Sequence, residues 1–462
     1  MIASLASVRS AAVAVPLLLA GLTSAAESPF KVDSREDILK SAKTLAEDLM
    51  ALYEGNKPGK IPGILPGPPS DFSGPYYWWQ AGAFMSTYID YYRLTGDDTY
   101  NQIVAEGLMW QTGPNYDYLP PNQTASIGND DQCTWASAAI GAAEAGLPDV
   151  KGKPSWAEIA ETALSTMAHP SRHDDTCDGG LRWQIPPSNL GYDYKNTISN
   201  ACYLSLAARV AKFTGNETYA DIAGDTWDWL VNVGFIDEEN YRVYDGGHVQ
   251  NNCTDVNKAQ FSINSALLVQ GAAYMFNQTS DKVWRDRLTK ITDATLENFF
   301  PDDVAFELPC EGRRDACNID MRAFKGITHR YLAAATELAP FLAEGVLPVL
   351  KKSTEAAVKT CTGGESGREC GFYWSEGKYV KPEAVGKVGP FNVGEQMNVL
   401  AAVEGLLVDP ATGGPASPDG PTETNTGAGP NQTGPAGSGA GRFEVGVMTA
   451  MVVGLGALFV TA

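Results

Sequence analysis

Residues 78–100 read WWQAGAFMSTYIDYYRLTGDDTY, an apolar run rich in small residues that closes with a Gly/Asp turn and an aromatic residue. Two later stretches repeat the pattern: ISNACYLSLAARVAKFTGNETY at 198–219 and FSINSALLVQGAAYMFNQTSDKVW at 261–284. Apolar positions recur at helical spacing, and the turns carry residues that end one helix and cap the next. Each stretch therefore predicts a helical hairpin whose second helix, such as YADIAGDTWDWLVNV at 219–233, is amphipathic.

Comparable first helices are predicted to begin near residues 130, 321 and 393, which gives six starts near 78, 130, 197, 260, 321 and 393. A near-constant period indicates a closed or stacked helical array rather than separate domains. We expect an all-α protein whose residues 27–408 form one (α/α)6 barrel, a toroid of six hairpins. An open α-solenoid is the alternative, and the lack of an obvious capping repeat favours closure.

Both ends of the chain predict secretion and anchoring. Residues 1–26 have the charged start, apolar run and small-residue site of a signal peptide, with an uncleaved anchor as the alternative. Residues 409–440 are rich in Pro, Gly, Ser and Thr and predict a disordered stalk. The apolar tail at 441–462 resembles a GPI-attachment signal, with the attachment residue near 434–439 and Ser438 as the candidate. A C-terminal transmembrane helix is the alternative to GPI attachment at the extracellular face of the membrane.

Cysteines and sequons fit an extracellular compartment. All eight cysteines lie between Cys133 and Cys370, and we predict the local disulfides Cys310–Cys317 and Cys361–Cys370. Candidate N-glycosylation sites are Asn122, Asn216, Asn252, Asn277 and Asn431. The formal net charge of −21 argues against a nucleic-acid partner and suits a protein that handles neutral sugars.

The loop PPNQTASIGNDDQCTW at 120–135 delivers two consecutive carboxylates, Asp130 and Asp131, to the first turn of an apolar helix. Carboxylates are favoured there by the free backbone N–H groups, so simple helix capping is one interpretation. Catalysis is the other, because glycoside hydrolysis needs two carboxyl groups flanking the scissile bond. Like charges so close also raise one pKa, which keeps one group protonated as the acid.

Aromatic and polar residues near other predicted helix starts are candidates for sugar contact. Sugar rings stack on aromatic side chains, although a buried tryptophan pair also fits core packing. The candidate substrate-binding residues are Trp78, Trp79, Asn129, Gln132, Trp183, Tyr194, Lys195 and Asn196.

Rival chemistries lack their motifs. His169 and His173 lack the Glu of an H-E-x-x-H zinc site, and the chain has no G-x-S-x-G nucleophile elbow. Asp130, Asp131 and Thr134 do not form the D-D-x-x-D magnesium signature of helical prenyl enzymes. We therefore expect neither a metal nor an organic cofactor.

Six segments in order resemble glycoside hydrolase family 76, in particular its fungal GPI-anchored branch: YYWWQAG, SIGNDDQ, GGLRWQI, YKNTISNACYLSLAARVAKFTGN, FKGITHRYLA and GEQMNVLAAVE. The resemblance covers about residues 32–407, and the paired aspartates are its most specific part. It implies an (α/α)6 barrel, a retaining mechanism and α-1,6-linked mannose substrates. By position it implies that Asp130 is the nucleophile and Asp131 the general acid/base, although sequence alone leaves the reverse assignment open.

The same resemblance implies a role in cell-wall biogenesis. The donor would be α-mannan or the mannose of a GPI glycan, a β-glucan would be the acceptor, and the lipid of the GPI anchor would sit in the outer membrane leaflet. Hydrolysis and transfer are both open to a glycosyl-enzyme intermediate. The alternative from a different class is a wall-associated carbohydrate-binding or scaffold protein whose aspartates only cap a helix.

Overall fold

A computed structural model describes residues 27–66, 76–313, 316–381 and 392–414, all within one compact unit. The predicted signal peptide, Asn431, Ser438, the tail and most of the stalk lie outside these residues. Among the described residues, no single helix has the length and apolar character needed to cross a membrane. Only the bent pair 321–338 and 340–359 passes that test, when its two arms are taken together.

Six helices line the inside of a ring. They are α2 (Trp78–Thr95), α4 (Asn129–Glu144), α6 (Thr197–Thr214), α8 (Ser262–Thr279), α10 (Phe324–Leu338) and α12 (Val393–Glu404). Each contacts the next one, and α12 contacts α2, so the ring is closed. The predicted (α/α)6 barrel is confirmed, and each inner helix begins within three residues of its predicted start.

An outer layer packs against the ring. Its helices are α1 (Arg35–Met50), α3 (Asn101–Gln111), α5 (Trp156–Met167), α7 (Glu217–Asn232), α9 (Lys282–Phe299) and α11 (Ala343–Lys359). Five follow their inner partners along the chain, as the hairpin pattern predicts. The sixth pair differs, because the outer partner of α12 is α1, the first helix of the domain. This contact joins the two ends of the domain.

Close approach of the inner helices explains their small residues. A Cβ on Gly271 of α8 would lie 2.2 Å from Leu204 Cδ2 of α6, and one on Gly326 of α10 would lie 2.5 Å from the Asn398 Cα of α12. The turns follow the sequence pattern: Gly96 and Gly215 end α2 and α6 with left-handed φ angles of 75° and 71°.

The far ends of the inner helices carry a network of ion pairs and polar groups that we call the base network. Its closest ion pairs are Arg209–Glu144 at 2.7 Å, Arg330–Asp90 at 2.7 Å and Arg93–Glu337 at 2.9 Å, each between two inner helices. Tyr274 and Glu404 complete it, so every inner helix contributes. Burial, then the charge of Asp90, raises the pKa of Glu404 well above its usual range, which favours the neutral acid.

Four disulfides connect the eight cysteines. The predicted local pairs Cys310–Cys317 and Cys361–Cys370 are confirmed. The other two are long-range: Cys133–Cys202 joins α4 to α6, and Cys177–Cys253 joins two loops at the cavity end of the barrel. Long-range pairs of this kind depend on the tertiary fold, so the spacing of the cysteines did not predict them.

The sequons differ in how available their asparagines are. Asn122, Asn216 and Asn252 are exposed. Asn277 is half-buried, and its side-chain nitrogen donates to the carbonyl of Leu338 at 2.8 Å. Because N-glycosylation modifies that nitrogen, Asn277 is the least suited of these four sites.

Candidate active site

A cavity of about 650 Å³ opens at the end of the ring where the inner helices begin. Its walls come from the first turns of inner helices and from the loops that precede them. Its lining includes the aromatic and acidic residues Tyr77, Trp79, Asp130, Asp131, Trp183, Tyr194, Asp245, Phe261, Asp320 and Phe324. Aromatic side chains with a few carboxyl and amide groups among them form a surface suited to a sugar chain.

Asp130 and Asp131 occupy the first turn of α4, which begins at Asn129 after the extended residue Gly128 (φ −99°, ψ 167°). The backbone N–H of Gly128 donates to Asp131 Oδ2 at 2.6 Å, and the N–H of Asp131 donates to Asp130 Oδ1 at 3.1 Å. The Trp183 indole N–H donates to Asp130 Oδ2 at 3.0 Å. The helix terminus therefore fixes both carboxyls, as the capping interpretation predicts, while both also face the cavity.

Backbone pairing holds Trp183 opposite the aspartates. The Asn129 N–H donates to the Trp183 carbonyl at 2.8 Å, and the Trp183 N–H donates to the Tyr194 carbonyl at 2.7 Å. Tyr194 begins the short strand β1 (Tyr194–Asn196), which pairs antiparallel with β2 (Gly246–His248). Loops before three inner helices are thus joined into one layer at the cavity edge.

The surroundings of the two aspartates shift the pKa values of their carboxyl groups to different extents. Burial raises the pKa of both carboxyls. The negative charge of Asp130 raises the pKa of Asp131 further, and the single hydrogen bond from the Gly128 N–H lowers it by less. The Asp131 N–H and the Trp183 indole both stabilise the ionised form of Asp130. Asp130, whose pKa is raised to about 7, therefore ionises before Asp131, and the arrangement favours one ionised Asp130 beside a protonated Asp131 once the pH exceeds that value.

A third carboxyl, Asp320, faces the same cavity. Trp79 donates its indole N–H to Asp320 Oδ1 at 3.0 Å. Burial raises the Asp320 pKa to about 6, and the charge of Asp320 in turn raises the pKa values of Asp130 and Asp131. Asp320 lies just after the loop closed by Cys310–Cys317, so that disulfide restrains the chain that presents it.

Residues 37–417 match glycosyl hydrolase family 76. The chain belongs to this family. It is 38% identical over 391 residues to the mannan endo-1,6-alpha-mannosidase DFG5 of Saccharomyces cerevisiae, covering 82% of this chain and 81% of the relative. The fold matches the crystal structure of Dfg5 from Chaetomium thermophilum in complex with glucosamine, with a TM-score of 0.80 and 54% identity over 82% of this chain and 92% of that one.

The fold alone is shared with the GH76A alpha-1,6-mannanase of Salegentibacter, at a TM-score of 0.61 and 18% identity over 80% of this chain and 98% of that one. Family 76 proteins are glycoside hydrolases on α/α barrels. The expected family, enzyme class and fold are therefore confirmed.

Five of the predicted substrate-binding residues line the cavity of this family 76 domain: Trp78, Trp79, Trp183, Tyr194 and Asn196. Trp183 remains 37% exposed and is available for stacking on a sugar ring. Trp78 is almost buried, stacks on Trp135 and donates to Gln111 Oε1, so core packing dominates its role.

The other three predicted residues do not reach the cavity, which corrects their assignment to substrate contact. Lys195 is fully buried, and its ammonium group binds Asp174 Oδ1 and the carbonyls of Thr176 and Gly179. Asn129 and Gln132 are buried and accept hydrogen bonds from the Arg172 guanidinium. Their polar groups hold loops together behind the aspartates.

Several cavity residues were not predicted from the sequence. Asp320 is one, and Asp245 is another, which accepts from the Tyr194 hydroxyl at 2.8 Å and from Asn257 at 3.1 Å. Phe261 and Phe324 add further aromatic surface that was not predicted, beyond that of Tyr77 at the start of α2. Within the described ranges, no group of three or more His, Cys, Asp or Glu side chains is arranged to hold a metal ion.

Gly128→Ala is expected to lower turnover by about 100-fold, because a displacement of roughly 1 Å in a reacting group can have that effect. A Cβ at this position would lie 2.1 Å from Asp130 Oδ1 and would push the carboxylate out of place. The measurement is kcat/KM together with the melting temperature. Gly224→Ala in α7, where a Cβ meets nothing within 4 Å, is the matched control. Equal activity of the two variants would contradict the expectation.

Asp320→Asn is expected to move the whole pH–rate profile to lower pH, by about half a unit or more. Asparagine keeps the hydrogen bond from Trp79 but removes a charge that raises the pKa values of Asp130 and Asp131. Both limbs of the profile therefore move in the acidic direction. A loss of activity at every pH with unchanged limbs would show that Asp320 acts only by contact.

Proposed function

We propose that this enzyme is a retaining glycosidase and transglycosylase of the cell surface that cleaves α-1,6-mannosidic bonds. The observation that carries the mechanism is the pair Asp130 and Asp131. A Cβ on Gly128 would lie 2.1 Å from Asp130 Oδ1 and 3.2 Å from Asp131 Oδ2. Measured from that one point, the two oxygens cannot be farther apart than the sum of these distances. This upper limit is shorter than the roughly 6.5–9.5 Å between the carboxyl groups of inverting enzymes, so the pair is compatible with a retaining mechanism.

In the first step, ionised Asp130 attacks the anomeric carbon and protonated Asp131 donates its proton to the departing sugar oxygen. The glycosidic bond breaks, and a mannosyl ester on Asp130 forms. In the second step, Asp131 removes a proton from the incoming hydroxyl, which displaces Asp130 and restores the original configuration. Water as the acceptor gives hydrolysis, and a sugar hydroxyl gives transfer.

The substrate assignment is supported by the relatives and by the cavity. The curated relative is named for endo-1,6-alpha-mannosidase activity, and the cavity walls are aromatic with few charges besides the carboxyls. We propose α-mannan or the mannose of a GPI glycan as donor and a wall β-glucan as acceptor, in cell-wall biogenesis. GPI anchoring near Ser438 would place the enzyme beside such donors.

The test is incubation of purified protein with an end-labelled α-1,6-manno-oligosaccharide, with and without a soluble β-glucan oligosaccharide, and sizing of products by mass spectrometry. Shorter mannosides alone mean hydrolysis, and mixed mannose–glucose products mean transfer. NMR of the first-formed product reports the anomeric configuration, and a β-configured product would overturn the retaining mechanism. If neither this donor nor a complete GPI glycan is altered, the proposed activity is wrong.

A further inference from the structure

A second concave surface lies outside the ring, between α3 and the loops at 112–116 and 150–153. We call this the outer groove. It has a volume of about 750 Å³, and its floor and walls include Pro62, Met109, Trp110, Tyr116 and Val150. None of these residues lines the catalytic cavity.

Trp110 in the outer groove is the most exposed tryptophan of the described residues. Among the described residues, the exposed large hydrophobic side chains are Ile61, Tyr77, Trp110, Trp183, Leu190, Val283 and Leu308. Tyr77, Trp183 and Leu190 line the catalytic cavity, where a sugar is expected. Trp110, 63% exposed, lies in the outer groove, and Ile61 precedes Pro62 at its edge. An exposed tryptophan in a concave site is typical of a binding surface rather than of an ordinary solvent-facing position.

Polar groups surround this aromatic surface. The amide of Gln102 donates to Glu106 Oε1 at 2.9 Å, and Lys153 donates to the Tyr116 hydroxyl at 3.3 Å. Glu106 and Lys153 contribute one charge of each sign. The groove therefore offers donors and acceptors for hydroxyl groups without a charge excess, and this composition suits a neutral polymer.

The outer groove follows α3 along the side of the barrel, and its Trp110 end lies toward the end of the barrel where the catalytic cavity opens. Gln111, which follows Trp110, accepts from the indole of Trp78, and Trp78 lines the cavity. The loop after α3 contributes Thr112 and Tyr116 to the groove, then Gln123 and Ile127 to the cavity wall. A polymer that lies along the groove past Trp110 and Tyr116 would thus run toward the cavity wall.

The stereochemistry of the sugar ring distinguishes between two candidate polymers, β-glucan and α-mannan. In β-linked glucose every ring substituent is equatorial, so both ring faces present flat C–H surface to an indole. In α-linked mannose, axial oxygens at C1 and C2 interrupt those faces. A largely exposed indole therefore favours β-glucan over α-mannan.

We propose that the outer groove is a non-catalytic binding site for a β-glucan strand, with Trp110 as its stacking surface. The site holds the acceptor polymer next to the cavity, and this role rests on the transfer reaction proposed above. Binding itself does not depend on that reaction.

The experiment measures retention of the purified full-length protein on insoluble β-1,3-glucan, with α-mannan beads in parallel. Asp130→Asn is present in every sample to prevent turnover. Trp110→Ala is expected to lower the affinity for glucan about tenfold, and Trp110→Phe to restore part of it. Val283→Ala, another exposed apolar side chain, is the matched control. Melting temperatures verify that each variant is folded.

In the active protein, Trp110→Ala is expected to raise KM for a long glucan acceptor and to leave hydrolysis of a short α-1,6-manno-oligosaccharide unchanged. Equal retention of Trp110→Ala and the control on glucan would overturn the proposal, as would a loss confined to α-mannan. If the unmutated protein self-associates and Trp110→Ala abolishes this association, the groove binds a second copy of the chain and the proposal is overturned. Trp110-dependent retention by a protein with no mannoside turnover would support the site while refuting the proposed activity.

Discussion

Asp130→Asn is expected to lower the turnover of an α-1,6-manno-oligosaccharide by about 10⁴-fold or more, because no covalent intermediate can form without the nucleophile. Asp131→Asn is expected to lower it by about 10²- to 10⁴-fold, the usual contribution of a general acid/base. The two losses should not add in the double variant, since both residues serve one reaction. Steady-state kinetics measure all three.

Azide rescue with an aryl α-mannoside that has a good leaving group separates the roles. Asp131→Asn still forms the intermediate from this donor, so azide should restore turnover and give the α-mannosyl azide. Asp130→Asn should give the β-mannosyl azide by direct displacement. Exchanged products would reverse the two assignments. Asp281→Asn, the same change at the N-cap of α9, controls for effects at a helix terminus and should leave activity unchanged.

Arg209→Met is expected to lower the free energy of unfolding by about 3–5 kcal/mol, because it leaves the buried carboxylate of Glu144 without its cation. The two side chains are each only 7% exposed and meet at 2.7 Å. Glu144→Leu is expected to lower the free energy of unfolding by a similar amount, because it leaves the buried guanidinium of Arg209 without its carboxylate. Urea unfolding measures both variants.

The double variant Arg209→Met/Glu144→Leu is expected to lose much less stability than the sum of the single changes, since no buried charge is left unpaired. Lys282→Met breaks the exposed pair Lys282–Asp286 and should cost about 0.5 kcal/mol or less. If Arg209→Met were no more destabilising than Lys282→Met, the buried pair would contribute little to the closure of the ring.

Periodicity made the ring predictable. Inner helices must be apolar and small wherever they approach a neighbour, so Gly271 and Gly326 belong to a pattern visible along the chain. The paired aspartates were predictable for a related reason, because Gly128 and Asn129 mark a helix start and helix starts in a toroid converge. By contrast, the packing of α1 on α12 depends on contact between opposite ends of the domain.

The residues that sequence reasoning missed or misassigned are those whose roles depend on loops folding together. Asp320 reaches the aspartates from 190 positions along the chain, through a loop with no local signal beyond its cysteines. Lys195 sits next to Tyr194 in an exposed-looking polar run, yet strand pairing turns it inward to Asp174. Alternation along a three-residue strand is too short to be read from the sequence.

The base network also bears on the order in which reactants come and go. Arg209, Glu337 and Glu404 are buried at the far end of the ring, and the cavity of the described residues opens at the end where the inner helices begin. The sugar fragment released when the mannosyl ester forms therefore leaves through the same opening by which the acceptor enters. The acceptor can enter only after the released sugar fragment has left, and donor molecules compete with it for the same opening. Excess donor is therefore expected to lower the rate of transfer.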